Sequence, residues 1–131
     1  MNTQSYVQGK WVSGETEGKP LFNAITGEQI STASSKGLDF GDMMKYAREI
    51  GSPTLRKMTF HERGRMLKAL AFHLLEKKAE FYKISGYTGA TKVDSWIDIE
   101  GGIGNLFANA SLRKQFPNEP FYVDGEMVPL S

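Results

Sequence analysis

The first third of the chain alternates short apolar runs with glycine-containing turns. Residues 6–12 (YVQGKWV) place bulky side chains on both sides of Gly9, which is a pattern typical of a hairpin. Residues 29–34 (QISTAS) carry the β-branched side chains that suit a half-buried strand, and a turn at residues 25–28 precedes them. The pattern predicts antiparallel strands in this region.

The apolar spacing becomes helical beyond residue 38. Asp39 is an expected N-cap for a helix over residues 42–50, which the sequence Gly51-Ser52-Pro53 is expected to end. The apolar stripe of this first helix consists of Met43, Tyr46, Ala47 and Ile50.

A stronger helix signal begins at Thr59, which forms a capping-box pattern with Glu62. The apolar residues after it recur mostly at intervals of three and four and are predicted to share one face: Leu67, Leu70, Ala71, Leu74, Leu75 and Phe81. Residues 80–87 either continue this helix or begin another after a bend, and the helix is expected to end near Gly89.

The last helix is predicted over residues 92–112. Its apolar residues again follow helical spacing: Val93, Trp96, Ile97, Ile103, Leu106, Phe107 and Ala110. Asp94, Asp98 and Glu100 lie nearer its start, where the helix dipole favours negative charge.

The end of the chain is predicted to return to strand. Residues 116–120 (FPNEP) break the helical pattern, and residues 121–129 predict a hairpin turned at an Asp-Gly pair. The sequence thus predicts a single α+β segment, with strands over 1–37, helices over 38–115 and a strand or hairpin over 120–131.

Length and composition narrow the possible classes of protein. A chain of 131 residues fits one domain. Sixteen Lys and Arg against fifteen Asp and Glu give a net charge of +1, which argues against nucleic acid or a membrane surface as partner. The N-terminus lacks the basic start and apolar middle of a signal peptide, so we expect a cytoplasmic protein. The sequence has no cysteine, which excludes disulfides and a thiolate nucleophile within it.

The stretch 99–107 (IEGGIGNLF) resembles a glycine-rich phosphate cradle. A dinucleotide fingerprint requires a third glycine where this sequence has Phe107, and it requires a preceding strand, which is not predicted here. Gly101, Gly102 and Gly104 inside a helix cost about 1 kcal/mol each relative to alanine. We therefore interpret them as packing glycines that allow another backbone to approach closely.

The two histidines do not indicate a metal site. His61 and His73 lie twelve residues apart on one predicted helix, about 18 Å by helical rise, and cannot bind the same ion. We expect His61 to be a first-turn surface residue and His73 to neighbour the apolar stripe.

The charged residues also have ordinary explanations. Asp94 and Asp98 are one helical turn apart and raise the alternative of a small carboxylate-based hydrolase, but a solvated helix start accounts for both of them and for Glu100. The basic residues near residue 60 are balanced by an acidic neighbour and lack interleaved aromatic residues, which argues against a nucleic-acid groove. These residues are Arg56, Lys57, Arg63 and Arg65.

Several segments, in chain order, resemble the N-terminal portion of the aldehyde dehydrogenase superfamily. They are residues 6–12, residues 23–28 (NAITGE, where the family often has NPATGE), residues 61–67 (HERGRML) and residues 87–89 (YTG, where the family has DTG). The run 94–107 (DSWIDIEGGIGNLF) is similar to the bifunctional, oxepin-CoA hydrolase type of phenylacetate degradation, which joins an aldehyde dehydrogenase to an enoyl-CoA-hydratase-like domain. The resemblance covers nearly the whole chain.

The resemblance implies that this chain is a leading piece of an aldehyde dehydrogenase α/β fold. Family members use a cysteine thiolate, hydride transfer to NAD or NADP, and hydrolysis or thiolysis of the acyl-enzyme, and this sequence has no cysteine. The family's catalytic Cys, Glu and Asn and its nucleotide loop are expected beyond residue 131. We therefore assign no catalytic, cofactor-binding or metal-binding residue here; NADP or NAD is implied for the parent enzyme.

The same resemblance implies the partners of this chain. The expected partners are the remainder of the dehydrogenase and further copies in a homo-oligomer. Some family members bind a monovalent cation through the Asp of Asp-Thr-Gly, but Tyr87 occupies that position here, so we do not assign the ion. The alternative function is a self-associating interaction module without enzymatic activity.

Overall fold

The strands form two separate two-stranded sheets. The computed structural model describes residues 3–15 and 17–123. Strands β1 (Gln4–Val7) and β2 (Lys10–Ser13) pair antiparallel, and β3 (Lys19–Phe22) pairs antiparallel with β4 (Gln29–Ala33). The prediction of antiparallel strands is confirmed for these ranges.

The β1–β2 hairpin is closed by a two-residue turn. Gln8 and Gly9 have positive φ angles of 50° and 83°, which is the left-handed geometry of a type I′ turn. Tyr6 and Trp11 lie directly opposite each other, and their rings contact edge to face with centroids 5.1 Å apart. Both side chains remain more than half exposed. The hairpin therefore satisfies its backbone but covers little apolar surface.

The β3–β4 hairpin connects the other sheet and the helices. Its turn is fixed by Asn23, whose Oδ1 accepts a hydrogen bond from the Ile25 N–H at 2.9 Å. The Ala24 N–H donates to the carbonyl oxygen of Tyr87 at 2.8 Å, and the Thr3 N–H donates to the carbonyl oxygen of Thr32 at 2.8 Å. The first bond ties the β3–β4 hairpin to the helical region, and the second joins the residue before β1 to β4.

The first helical region is longer than the sequence predicted. Helix α1 (Phe40–Tyr46) begins at Asp39, whose Oδ1 accepts from the Asp42 N–H as expected. It continues through a π-helical turn (Ala47–Gly51) into α2 (Ser52–Lys57), so the prediction that residues 51–53 end the helix is wrong. Proline lacks an N–H and its ring clashes with the carbonyl group four residues earlier. The wider π register before Pro53 avoids that clash without ending the helix.

Helices α3 and α4 are separate. Helix α3 (Phe60–Glu76) starts with the predicted capping box: the Glu62 N–H donates to Thr59 Oγ1 at 3.2 Å and the Thr59 N–H donates to Glu62 Oε2 at 2.8 Å. Lys77 leaves the helical conformation, with φ −96° and ψ 3°, and α4 (Lys78–Tyr87) follows. The alternative of a second helix after a bend is therefore the correct one.

Helix α5 (Lys92–Ser111) is the centre of the helical layer, and a short 3₁₀ turn (Leu112–Gln115) extends it. It packs along α3 and against α4. Phe72 of α3 meets Phe107 of α5 edge to face, with ring centroids 5.1 Å apart. The prediction of a helix over residues 92–112 is confirmed.

The core between these helices is small. The buried apolar side chains in the described ranges belong to Ala71, Ile103 and Ala110. No large side chain is fully buried among the described residues. Members of the predicted apolar stripes remain exposed on α1, in the π-helical turn, on α3 and at the start of α5: Tyr46, Ile50, Leu70, Val93, Trp96 and Ile97.

The chain exposes far more surface than a compact protein of its mass. Its accessible surface is 10286 Å² at 14.6 kDa, whereas folded monomers of this mass expose about 6,900 Å². If every undescribed residue were as exposed as in an unfolded chain, those residues would account for about half of the difference. Many of the large apolar side chains are exposed, so a large apolar surface has no partner among the described residues.

The final predicted element is only partly within the described residues. Residues 121–123 form no strand, and residues 124–131 of the predicted hairpin lie outside the described ranges. Within residues 3–15 and 17–123, no helix combines the length and apolar character needed to cross a bilayer.

Candidate functional site

The glycine-rich stretch lies on an open groove along α5. Its volume is ≈ 470 Å³. The residues that line the groove are Asp94, Ile97, Asp98, Gly101, Gly102 and Asn105. The sequence analysis singled out most of these residues, and the structure places them together on one side of the helix.

The glycines of the stretch 99–107 do not contact another backbone among the described residues. A Cβ atom built on Gly101, Gly102 or Gly104 meets nothing within 4 Å among the described residues. By contrast, a Cβ on Gly64 of α3 would lie 3.0 Å from the carbonyl oxygen of Ala110. The close approach predicted for the α5 glycines is therefore not formed by the described part of this chain, and Gly64, which the sequence analysis did not single out, makes such a contact.

The position of these glycines in the helix does not fit a phosphate cradle. A phosphate-binding loop offers free N–H groups at the start of a helix. Gly101, Gly102 and Gly104 lie in the middle of α5, where N–H groups are bonded to carbonyl groups one turn earlier. This geometry agrees with the interpretation that the stretch is not a dinucleotide fingerprint.

The three acidic residues of α5 have different environments. Asp94 belongs to a capping box at the helix start, where its Oδ2 accepts from the Thr91 N–H at 3.3 Å and from Thr91 Oγ1 at 2.6 Å. Glu100 faces α4 and accepts from the Tyr82 hydroxyl at 3.0 Å and from Lys78 Nζ at 3.3 Å. Asp98 is exposed on the groove. Asp94 thus has the predicted helix-start role, whereas Glu100 links two helices.

The junction between α4 and α5 is polar and half-buried. Burial raises the pKa of Tyr82, and the hydrogen bond to the Glu100 carboxylate and its negative charge raise that pKa further. The hydroxyl groups of Ser85 and Ser95 lie 2.8 Å apart, and Ser95 is buried. Because each of these polar groups has a partner, the junction stabilises the packing of the two helices.

The histidines lie on α3, as predicted, but His61 is not a free surface residue. It is half-buried, and its Nε2 lies 3.1 Å from the carbonyl oxygen of Phe116. His73 is exposed near the end of the helix. In the described part of the chain, no group of three or more His, Cys, Asp or Glu side chains is placed to hold a metal ion.

A clasp that the sequence analysis missed holds the segment after α5 against the start of α3. The Phe60 N–H donates to the carbonyl oxygen of Glu119 at 3.0 Å, and Arg63 Nη2 donates to the carbonyl oxygen of Pro120 at 3.2 Å. The rings of Phe60 and Phe116 stack with centroids 4.6 Å apart. Backbone carbonyl groups accept both hydrogen bonds. Because every residue has such a group, no pattern in the sequence predicts these contacts. Arg63 is thereby used structurally, whereas Arg56, Lys57 and Arg65 are exposed.

The chain is similar over its whole length to a known enzyme. It shares 38% identity over 132 aligned residues with a 3,4-dehydroadipyl-CoA semialdehyde dehydrogenase from Aromatoleum evansii. The match covers the entire chain but only 26% of that relative, so the chain spans about a quarter of its length. No family profile matches the chain. The similarity supports the relationship to aldehyde dehydrogenases that the sequence motifs indicated.

Proposed function

We propose that this chain is a non-catalytic N-terminal part of an NADP- or NAD-dependent aldehyde dehydrogenase that oxidises a CoA-linked semialdehyde. The observation that carries the proposal is the similarity of the whole chain to one quarter of a CoA-semialdehyde dehydrogenase. The absence of cysteine from the sequence agrees with it, because the thiolate of the family's mechanism must then come from another part of the protein.

The exposed apolar surface supports the same proposal. Trp11, Phe22, Phe72 and Trp96 are each more than half exposed, whereas the buried apolar side chains of the described ranges are two alanines and one isoleucine. A surface of this kind is expected where a chain packs against further polypeptide. In the proposed enzyme, the helices described here pack against the part that binds the cofactor, and the enzyme is a cytoplasmic homo-oligomer.

The finer assignment follows from the sequence resemblance of residues 94–107. We place the parent enzyme in phenylacetate degradation, as the bifunctional type that also carries an enoyl-CoA-hydratase-like domain. Extending the encoding reading frame tests this assignment directly: a downstream cysteine-bearing dehydrogenase region followed by a hydratase-like region is expected, and a frame that encodes neither contradicts it.

A graft tests the dehydrogenase proposal itself. The segment of the Aromatoleum evansii enzyme that matches this chain is replaced by residues 1–131, and NADP or NAD reduction is followed with the CoA-linked semialdehyde. The graft is expected to fold and to retain activity, whereas the isolated chain is expected to reduce neither cofactor with any aldehyde. An inactive, unfolded graft, or an active isolated chain, contradicts the proposal.

The large exposed surface also favours a second candidate, a self-associating module without enzymatic activity. Such a module would bury its apolar faces against further copies of itself. Light scattering at several concentrations distinguishes the two: a defined, tight oligomer of the isolated chain supports the module, whereas a concentration-independent monomer excludes it.

A further inference from the structure

One side of α5 is apolar although nothing in the described part of the chain covers it. We call it the outer face and define it by Val93, Ile97, Gly101, Gly104 and Ala108, which follow each other at intervals of three and four. This side differs from the one on which Ile103 and Ala110 are buried. Val93 and Ile97 are 63% and 59% exposed.

The exposed side of α5 is divided into a polar part and an apolar part. A surface helix carries polar and charged residues on its solvent side, and Asp94, Asp98 and Asn105 line the groove in this way. The outer face beside them has no charged residue, and from Val93 to Leu112 the sequence contains no Lys or Arg. The outer face of α5 is therefore an apolar strip next to an acidic groove, which suits burial under a further segment.

Gly101 and Gly104 determine how closely another segment can approach the outer face, because neither residue has a side chain. Nothing in the described residues lies within 4 Å of a Cβ at Gly101 or Gly104, so packing against this part of the chain does not offset their cost of about 1 kcal/mol each. A backbone lying across the helix at this point would occupy the space that the absence of side chains at the two glycines leaves open. Val93 and Ile97 would supply the apolar contact beside it.

The amount of exposed surface distinguishes two possible partners of the outer face, a second copy of this chain and a further part of the same polypeptide. After the allowance for undescribed residues, the excess surface is about 1,700 Å², roughly twice what one partner buries in a standard interface. The exposed apolar side chains also lie on strands and on several helices, so one symmetric contact between two copies covers only part of them. The relative has about three quarters of its length outside the match. More of the same polypeptide fits these observations better than a second copy.

The charge beside the outer face identifies the chemistry of the covering segment. Asp98 lines the groove and makes no hydrogen bond or ion pair with the described residues. Asp94 lies one turn away on the same groove, and no basic side chain follows on this helix. A basic side chain on the covering segment would satisfy this charge.

We infer that the outer face of α5 is the docking surface for a segment of the remaining dehydrogenase polypeptide, which crosses at Gly101 and Gly104 and places a Lys or Arg beside Asp98. The inference rests on the proposed function and adds to it the place and the chemistry of the contact.

The experiment compares the same substitutions in two settings: the isolated chain and the graft in the full-length Aromatoleum evansii enzyme. Gly101→Leu places a side chain in the proposed contact, Gly101→Ala is the small matched control, and Asp98→Lys reverses the charge. In the isolated chain, none of them is expected to reduce helicity or the melting temperature, because the groove is open. In the graft, Gly101→Leu and Asp98→Lys are expected to lower activity roughly tenfold or more and to lower the melting temperature, whereas Gly101→Ala has the smaller effect.

The outcomes separate the two proposals. If the unmodified graft is active and both substitutions leave its activity and melting temperature unchanged, the docking inference is wrong and the proposed function stands. If the unmodified graft does not fold, both are wrong. If the isolated chain forms a dimer that Gly101→Leu dissociates, while the graft carrying it stays fully active, a second copy is the partner and the inference is also overturned.

Discussion

Gly64 of α3 lies directly against Arg113 in the 3₁₀ turn that follows α5. A Cβ atom at Gly64 would be 2.6 Å from Arg113 Cδ and 2.9 Å from Arg113 Cβ. The helices approach this closely only because residue 64 has no side chain.

Gly64→Ala is therefore expected to destabilise the chain by about 1–2 kcal/mol, because the 3₁₀ turn after α5 must move and this cost exceeds the gain in helix propensity. Urea unfolding followed by circular dichroism measures the effect. Gly101→Ala in the same chain is the matched control: its Cβ meets open space, so it is expected to stabilise by about 0.5–1 kcal/mol. Equal effects of the two substitutions would contradict the packing described here.

Thr91→Ala is expected to cost about 1 kcal/mol, because the side-chain oxygen of Thr91 accepts from the Asp94 N–H at 3.2 Å at the start of α5. The control is Asp98→Ala, which removes an exposed carboxylate without a partner among the described residues and is expected to change stability by less than about 0.5 kcal/mol. Chemical denaturation compares both with the unmodified chain. A larger loss for Asp98→Ala would indicate that Asp98 has a structural role in the isolated chain.

The pKa of Tyr82 is raised above its ordinary value of 10.0 by burial and by Glu100. Because the folded state holds the proton more tightly than the unfolded state, the stability from this group is complete below pH about 10 and is lost as the pH rises through the folded pKa. Tyr82→Phe is expected to remove this part of the alkaline decline. The difference in urea midpoint between the two proteins, measured from pH about 8 to about 11, gives the effect. A difference that does not change with pH contradicts the assignment.

Phe116→Ala is expected to weaken the contact between residues 116–122 and the start of α3. The Phe116 ring stacks on Phe60 and meets the Tyr122 ring edge to face, with ring centroids 5.5 Å apart. The ring is half-buried, so the expected cost is about 1–3 kcal/mol, less than for a core phenylalanine. Phe121→Ala removes a ring that is 70% exposed and serves as the control with little effect. Tryptic cleavage near Arg113 and Lys114 is expected to become faster in Phe116→Ala and to remain unchanged in Phe121→Ala.

Local signals in the sequence predicted much of the fold. The cap at Asp39, the capping box at Thr59 and the hairpin turn at Gly9 each depend on residues within a few positions of one another, and the structure contains all three. The π-helical turn was missed because Pro53 usually ends a helix, and only the shifted register that allows the helix to continue accommodates it.

The sequence could not predict which side of an amphipathic pattern meets which neighbour. Val93, Ile97 and Ile103 belong to the same predicted apolar pattern. In the structure Val93 and Ile97 lie on the exposed side of α5, while Ile103 is buried. The clasp was equally hidden, because His61 bonds to a backbone carbonyl group 55 positions away. For the candidate site, the sequence indicated the glycines and the aspartates, and the structure shows that Gly101 and Gly102 share an open groove with Asp94 and Asp98.

The central position of α5 affects how the protein is made. Helices α3 and α4 pack mainly on α5 and little on each other, yet α5 is synthesised after both of them. While the ribosome is adding residues up to Lys92, α3 and α4 lack their main packing partner. We therefore expect their apolar faces to stay uncovered during this stage of synthesis, and cooperative folding of this region to wait until the end of α5 has left the exit tunnel.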